Sequence, residues 1–247
     1  MQLNPGQAVG KYTNRGLVGS GAFGSVYLMH DNLMNRDVAV KFVENKDPQT
    51  FVAHMEAQIL NQCRHARIVA VHSVDAATVP TGQSYAVIDM EYLAEGSAAG
   101  LLANGFVSVR KATKALIDVL FGLEHAHRQG ILHRDIKPPN ILLSGNRYKL
   151  GDFGLAKDAA TAMIGSGAGS PVYCAPEVLN DNITNIKTDL FAAGMTFFQL
   201  VNNISASDFD NKIKSRDLIK AGKVISTMGY TNCVPRRVRL ICSKLVR

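Results

Sequence analysis

The sequence predicts an α+β protein in two parts, a strand-rich first part and a mainly helical second part. Three observations lead there. Val38, Val40 and Phe42 alternate with Ala39, Lys41 and Val43, the two-residue period of a strand. Between Val107 and Gln129, Ala112, Leu116, Val119, Leu123 and Ala126 recur at intervals of three and four, the stripe of one long helix. Ile141-Leu142-Leu143 and Tyr148-Lys149-Leu150 flank Ser144-Gly145-Asn146-Arg147, a hairpin with its turn.

The remaining elements follow in order. The first part reads as short strands with one helix over 50–60, where Phe51, Met55 and Ile59 share a face. A boundary falls near Leu93-Ala94-Glu95-Gly96. Gly130 sits where the long helix should end. Gly165-Ser166-Gly167-Ala168-Gly169 reads as a flexible loop. Leu190, Ala193, Phe197 and Leu200 form a further helical stripe, read as core, and Pro235 to Arg247 reads as a last helix.

A chain of 247 residues fits one domain or two closely packed lobes, and 47% hydrophobic content supports a sizeable core. No run of about 18 apolar residues appears, so no membrane span is expected. The start, Met1-Gln2-Leu3-Asn4-Pro5-Gly6, lacks the basic and apolar regions of a signal peptide. The net charge is +7, but the basic residues are scattered except for Arg236, Arg237 and Arg239. A nucleic-acid footprint needs a clustered stripe, so no nucleic-acid partner is expected. Cys63, Cys174, Cys233 and Cys242 show no metal spacing and are too few for a disulfide scaffold. They read as reduced packing residues of a cytoplasmic protein.

Five short motifs carry chemistry. In Gly19-Ser20-Gly21-Ala22-Phe23-Gly24-Ser25-Val26 the glycines let backbone N–H groups approach phosphates. Alone this pattern also suits a dinucleotide fingerprint or a plain turn. A dinucleotide fingerprint should open a helix, whereas Val26-Tyr27-Leu28 reads as a second strand, so the glycines close a hairpin. In Val38-Ala39-Val40-Lys41, Ala39 and Lys41 share a strand face, a flat seat for a base beside an ammonium. Taken singly, Lys41 and the helical Glu56 read as solvated charges. His133-Arg134-Asp135-Ile136-Lys137-Pro138-Pro139-Asn140 places a proton acceptor, an ammonium and a cation-ligating amide in one loop. Its prolines are expected to keep that loop extended rather than helical. Asp152-Phe153-Gly154 follows the hairpin, where a carboxylate can bind phosphate-bridging magnesium. Ala175-Pro176-Glu177 is preceded by Gly169-Ser170-Pro171-Val172-Tyr173.

In this order and these contexts, the set resembles the eukaryotic-type serine/threonine protein kinase family, from about Arg15 to the end of the chain. The resemblance implies a two-lobed fold: a kinase domain over 10–247, with an N-lobe at about 10–92 (an antiparallel sheet with one helix). A hinge at about 91–95 and a mainly helical C-lobe at about 96–247 complete it. ATP would lie against Leu17, Val18, Gly19, Ser20, Gly21, Ala22, Phe23, Gly24, Ser25, Val26, Ala39, Lys41, Met90, Glu91, Leu93 and Leu142. Val18, Val26, Ala39 and Leu142 would hold the adenine. Met90 would be the gatekeeper, and the backbone of Glu91 and Leu93 the hinge contacts. Lys41 would reach the α- and β-phosphates and pair with Glu56. Asp135 would deprotonate the acceptor hydroxyl, Lys137 would offset phosphoryl charge, and Asn140 and Asp152 would hold Mg²⁺. Leu60, His133 and Phe153 match a regulatory spine anchored by Asp189. Lys137, two residues after Asp135, and Ser170 match the class that acts on serine and threonine of protein substrates.

The resemblance also implies autophosphorylation. A phosphate on Thr161 or Ser166 would be met by Arg134. Three departures stand out. Pro139 replaces a common Glu, Phe191-Ala192 replace Trp-Ser, and no Asp-Pro-x-x-Arg turn supplies an Arg partner for Glu177. Glu177 is therefore expected to find another partner or solvent. The competing classes are a pseudokinase scaffold and a small-molecule kinase. Lys41, Asp135 and Asp152 speak against the first, and Ala175-Pro176-Glu177 against the second.

Overall fold

The computed structural model describes residues 2–21, 24–44, 63–78, 82–153, 171–212 and 216–246. The fold is α+β and divides into two compact units. The first comprises 1–65 and 69–94, and the second 66–68 and 95–247. The helix expected over 50–60, with Glu56 and Leu60, lies outside the described residues.

The first unit is a six-stranded antiparallel sheet. Its strands are β1 (Ala8–Val9), β2 (Tyr12–Gly21), β3 (Gly24–Asp31), β4 (Arg36–Glu44), β5 (Val71–Thr78) and β6 (Ser84–Glu91), in the order β1-β2-β3-β4-β6-β5. Register and the two-residue period sort the side chains. Leu28, Ala39 and Met90 lie opposite one another, as do Val26, Lys41 and Ile88, so these six share one face. The other face carries a core of Tyr12, Tyr27, Met29, Val38, Val40, Phe42, Tyr85 and Val87, joined by Leu3 from ahead of β1. Residues before Gly10, to which the sequence assigned no element, therefore belong to this unit. Buried Asn14 holds them: its Nδ2 donates to the carbonyls of Leu3 (3.1 Å) and Asn4 (2.9 Å).

The second unit opens with two helices. α1 is Ala98–Ala103 and α2 is Val109–Arg128, whose N-terminus is capped by the Ser108 hydroxyl. α2 buries Ala112, Ala115, Leu116, Val119, Leu123 and Ala126 as its periodicity requires. It stops at Gly130, which has φ +73° and closes the end with Gly130 N–H to His127 O at 3.0 Å. The hairpin is β7 (Ile141–Ser144) and β8 (Arg147–Leu150). α3 (Pro176–Asp181) is followed by α4 (Ile186–Asn202), which carries an Asn185/Thr188 capping box and is buried over most of its length. α5 (Ala206–Lys212), α6 (Arg216–Lys220), α7 (Val224–Met228) and α8 (Arg236–Leu245) complete it. Asp118 of α2, almost fully buried, accepts from Arg67 Nε (2.6 Å) and from Tyr148 N–H (2.9 Å), fixing the hairpin to α2.

Gly24 shows how tightly the glycine hairpin meets β4. Its φ is +121°, and a Cβ there would lie 2.1 Å from the Phe42 carbonyl oxygen. Gly24→Ala is therefore expected to destabilise the protein by at least ~2 kcal/mol. Chemical denaturation measures this, and an unchanged midpoint would refute the close approach.

Candidate functional site

Two sets of predicted residues are placed by the two units. In the first unit, β2 and β3 form the hairpin expected around the glycines, with Gly21 opposite Gly24. A Cβ at Gly19 or Gly21 would meet no atom within 4 Å, and neither has positive φ. Neither packing nor backbone conformation asks for glycine at these two positions. Leu17 and Val18 beside them are exposed apolar residues on a strand. Lys41 is 4% exposed on the sheet face that also carries Val26, Ala39 and Met90. The Glu91 N–H donates to Ala70 O at 2.9 Å. Leu93 follows without regular structure. Ala22, Phe23, Gly154, Thr161, Ser166 and Ser170 lie outside the described residues.

In the second unit the loop after α2 is held from beneath by one carboxylate. Asp189, 1% exposed near the start of α4, accepts from the backbone N–H of His133 through Oδ2 (2.9 Å). Its Oδ1 accepts from the N–H of Arg134 (2.8 Å), and His127 Nε2 donates to Oδ2 (2.8 Å). Burial alone would push this carboxyl up. The His127 bond and the backbone N–H groups of His133 and Arg134 outweigh it and hold the carboxyl below its ordinary value. Arg134 has φ +65°, a left-handed conformation that costs a non-glycine residue about 1–3 kcal/mol. The bonds on either side of that residue offset the strain.

His133 is fully buried. Its Nε2 donates to the Gly151 carbonyl (2.7 Å), and its Nδ1 accepts from Asp135 N–H (3.2 Å). A carbonyl only accepts and an amide only donates, so the ring is the neutral Nε2–H tautomer. The His133 ring also packs edge-on against Phe153 at 4.6 Å. This tie joins the loop to the segment after β8.

Asp135, Lys137 and Asn140 come together on the loop. Lys137 Nζ lies 2.9 Å from Asp135 Oδ2. Asn140 Nδ2 donates to the same oxygen at 2.9 Å and to the Asp135 carbonyl at 2.7 Å. Asp135 Oδ1 takes no hydrogen bond among the described residues. Because both partners of the Asn140 amide are acceptors, its nitrogen faces them and its Oδ1 is left for a hard cation. Hairpin register supplies the second carboxylate. Ile141 pairs with Leu150 and Gly151 N–H donates to Asn140 O at 2.8 Å, so Asp152 follows directly at the hairpin mouth. Asp152 has φ +61°, a second left-handed non-glycine residue at the same place. A side-chain amide oxygen and a carboxylate are the donor chemistry that magnesium accepts.

One expectation is corrected. The loop is not extended throughout: Pro138–Asn140 form a 3₁₀ turn, closed by Asn140 N–H to Lys137 O at 3.0 Å. Proline lacks an N–H that the first turn leaves unpaired, and its φ suits a helical start. Lys137, before the proline, is extended. That turn is what swings Asn140 back onto Asp135. Leu142 is in β7, bridged to Ser97. Glu177 is half-buried and, among the described residues, forms no ion pair. Burial pushes the Cys174 thiol up to about 11, in keeping with a packing role. Two residues escaped the sequence reading, His127 and Asp118. A histidine in the last turn of α2, six residues ahead of His133, was the available signal for the first.

A family model described as the protein kinase domain matches residues 12–240. The serine/threonine-protein kinase PEPKR2 of Arabidopsis thaliana is 30% identical over 238 residues, 93% of this chain and 48% of that protein. The serine/threonine-protein kinase sid1 of Schizosaccharomyces pombe is 30% identical, over 78% of this chain and 41% of its own. PknB of Mycolicibacterium smegmatis is 29% identical, over 75% and 31%. The chain thus spans less than half the length of these relatives. Among solved structures, the kinase domain of Mycobacterium tuberculosis PknI matches with a TM-score of 0.67 at 20% identity, covering 99% of this chain and 98% of that one, a likeness of fold.

Because its folded value is lowered, Asp189 contributes stability that is fully present above its ordinary value of 3.8 and is lost as the pH falls through the folded one. Asp189→Asn is expected to cost about 3 kcal/mol near neutrality. Urea unfolding across pH should show that difference shrinking below about pH 4. A difference independent of pH would contradict the charged anchor.

Proposed function

The chain belongs to the protein kinase domain family, and on that premise we propose that it transfers the γ-phosphoryl group of ATP to serine or threonine hydroxyls of protein substrates. The observation that carries this is the Asp135 carboxylate. One oxygen is held by Lys137 and Asn140, the other is open, and the loop beneath is fixed by Asp189.

In this reading the first unit supplies the nucleotide contacts and the second the acceptor chemistry. The adenine packs on the sheet face of Val26 and Ala39, with Met90 behind it. Backbone N–H groups around Gly19 and Gly21 approach the phosphates, and Lys41 supplies an ammonium to them. Asp135 Oδ1 accepts the proton of the attacking hydroxyl and aligns its oxygen. Lys137, already beside Asp135, offsets charge on the moving phosphoryl group. Magnesium, when bound, neutralises charge on the phosphate oxygens, and Asn140 Oδ1 and Asp152 would hold it. Most of the work is positioning and electrostatics, which suits a rigidly tethered loop. Glu56 is the expected partner that holds Lys41.

The preference for serine and threonine rests on Lys137 two residues after Asp135, and the relatives named above are serine/threonine kinases. Lys41, Asp135 and Asp152 are all present, which favours an active enzyme over a scaffold. Autophosphorylation at Thr161 or Ser166 belongs to the same reading. We place the protein in the cytoplasm: all four cysteines are unpaired thiols, and among the described residues no helix is long and apolar enough to cross a membrane.

Asp135→Ala is expected to lower kcat by at least ~10²-fold. Lys41→Met should abolish transfer with the thermal midpoint little changed. Radiolabel transfer from γ-labelled ATP to a generic basic protein measures both. Near-normal turnover of Asp135→Ala would refute the assignment.

A further inference from the structure

The face of the first sheet that carries Tyr27, Val40 and Phe42 holds a charged cluster that no nucleotide contact explains. Asp89, 1% exposed, lies on it opposite Val40 and Ser73. Its Oδ2 accepts from Tyr12 OH at 3.0 Å and lies 3.9 Å from both Lys11 Nζ and Arg36 Nη2. Lys11 Nζ is also 3.0 Å from Asp31 Oδ2, a carboxylate that is fully buried. Asp31 Oδ1 in turn accepts the N–H groups of Leu33 and Met34 at the β3–β4 turn. His72, whose burial disfavours its charged form, and Glu91 complete the titratable surroundings.

Such a cluster is a poor device for stability. Buried charges lose hydration, and here the pairing is incomplete: Asp89 Oδ1 and Arg36 Nε are both buried without a hydrogen-bond partner. Burial pushes the Asp89 carboxyl above its ordinary value, against the pull of Tyr12, His72, Lys11 and Arg36. Burial, followed by the Asp89 charge, likewise drives the Tyr12 hydroxyl up to about 12. An apolar residue opposite Val40 would extend the core that Val87 and Tyr85 already form on this face.

What the cluster does is join two particular segments. Tyr12 and Lys11 end the N-terminal stretch that Asn14 and Leu3 fasten across the sheet. Asp89 immediately precedes Met90 and Glu91. Glu91 is itself locked to Ala70 twice, by its N–H to Ala70 O (2.9 Å) and by its Oε1 from Ala70 N–H (2.7 Å). We propose that Asp89 is a positioning residue: through Tyr12 and Lys11 it ties the stretch Leu3–Tyr12 to the strand end bearing Met90 and Glu91, and so sets how the chain holds the base of ATP. The last step rests on the functional reading above; the tie itself does not.

The test uses the full chain carrying Tyr12→Phe and Asp89→Val together, which removes the tie without leaving a lone buried hydroxyl. Amide exchange resolved by NMR is expected to quicken about tenfold at Met90 and Glu91 while Tyr27 and Val40 keep their rates. The KM for ATP should rise about tenfold, with kcat within about twofold of the starting protein. Asp89→Asn, which keeps an acceptor for Tyr12, should restore both. Unchanged exchange at Met90 and Glu91, or an unchanged KM in a folded, active double variant, would overturn the proposal. Should the double variant fail to fold, Lys11→Met at the part-exposed end of the cluster is read at the same amides with the same two outcomes. Exchange needs no nucleotide. A chain that exchanges as expected yet binds no ATP overturns the functional reading and leaves the tie standing.

Discussion

The geometry of the loop after α2 depends on the buried Asp189 carboxylate. A loop that must present three polar side chains cannot be held by apolar packing alone, because its own backbone donors have to be satisfied. Asp189 satisfies two of them, at His133 and Arg134, and is itself held by His127. The neighbouring Arg134 can then adopt a left-handed conformation that a free loop would avoid. From that fixed start, His133 reaches Gly151, and the loop becomes continuous with the hairpin mouth where Asp152 stands.

The same logic recurs on a smaller scale. Asn140 is brought to Asp135 by one 3₁₀ turn, and its bonds decide which end of its amide remains open. Asp118 fixes the hairpin to α2 through the Tyr148 N–H. In the first unit, strand register alone puts Ala39, Lys41 and Met90 on one face, while the opposite face is closed by residues from the start of the chain. Backbone donors answered by buried side chains, rather than dense packing, locate the polar groups.

Much of this was legible in the sequence where the signal is local. The strand around Val40, the helix ending at Gly130, the Gly21–Gly24 hairpin and the β7–β8 hairpin follow from period and turn chemistry. The grouping of Asp135, Lys137 and Asn140 follows from their spacing. Interactions between distant residues left no such mark. Nothing periodic announces Leu3 as a core residue or His127 as a holder of Asp189. Asp89 sits in a run of strand residues whose pattern gives no hint of a buried ion cluster. The prolines misled for a physical reason: they disfavour helix interiors but suit the first turn, and the loop uses them there.

In the proposed function, Asn140 Oδ1 and Asp152 would form one cation site beside Asp135. A crystal grown with manganese and a non-hydrolysable ATP analogue, read by anomalous scattering, tests that most directly. The expected result is a metal peak about 2.1–2.3 Å from both Asn140 Oδ1 and an Asp152 carboxylate oxygen. Nucleotide bound with its metal beyond reach of either side chain would contradict it.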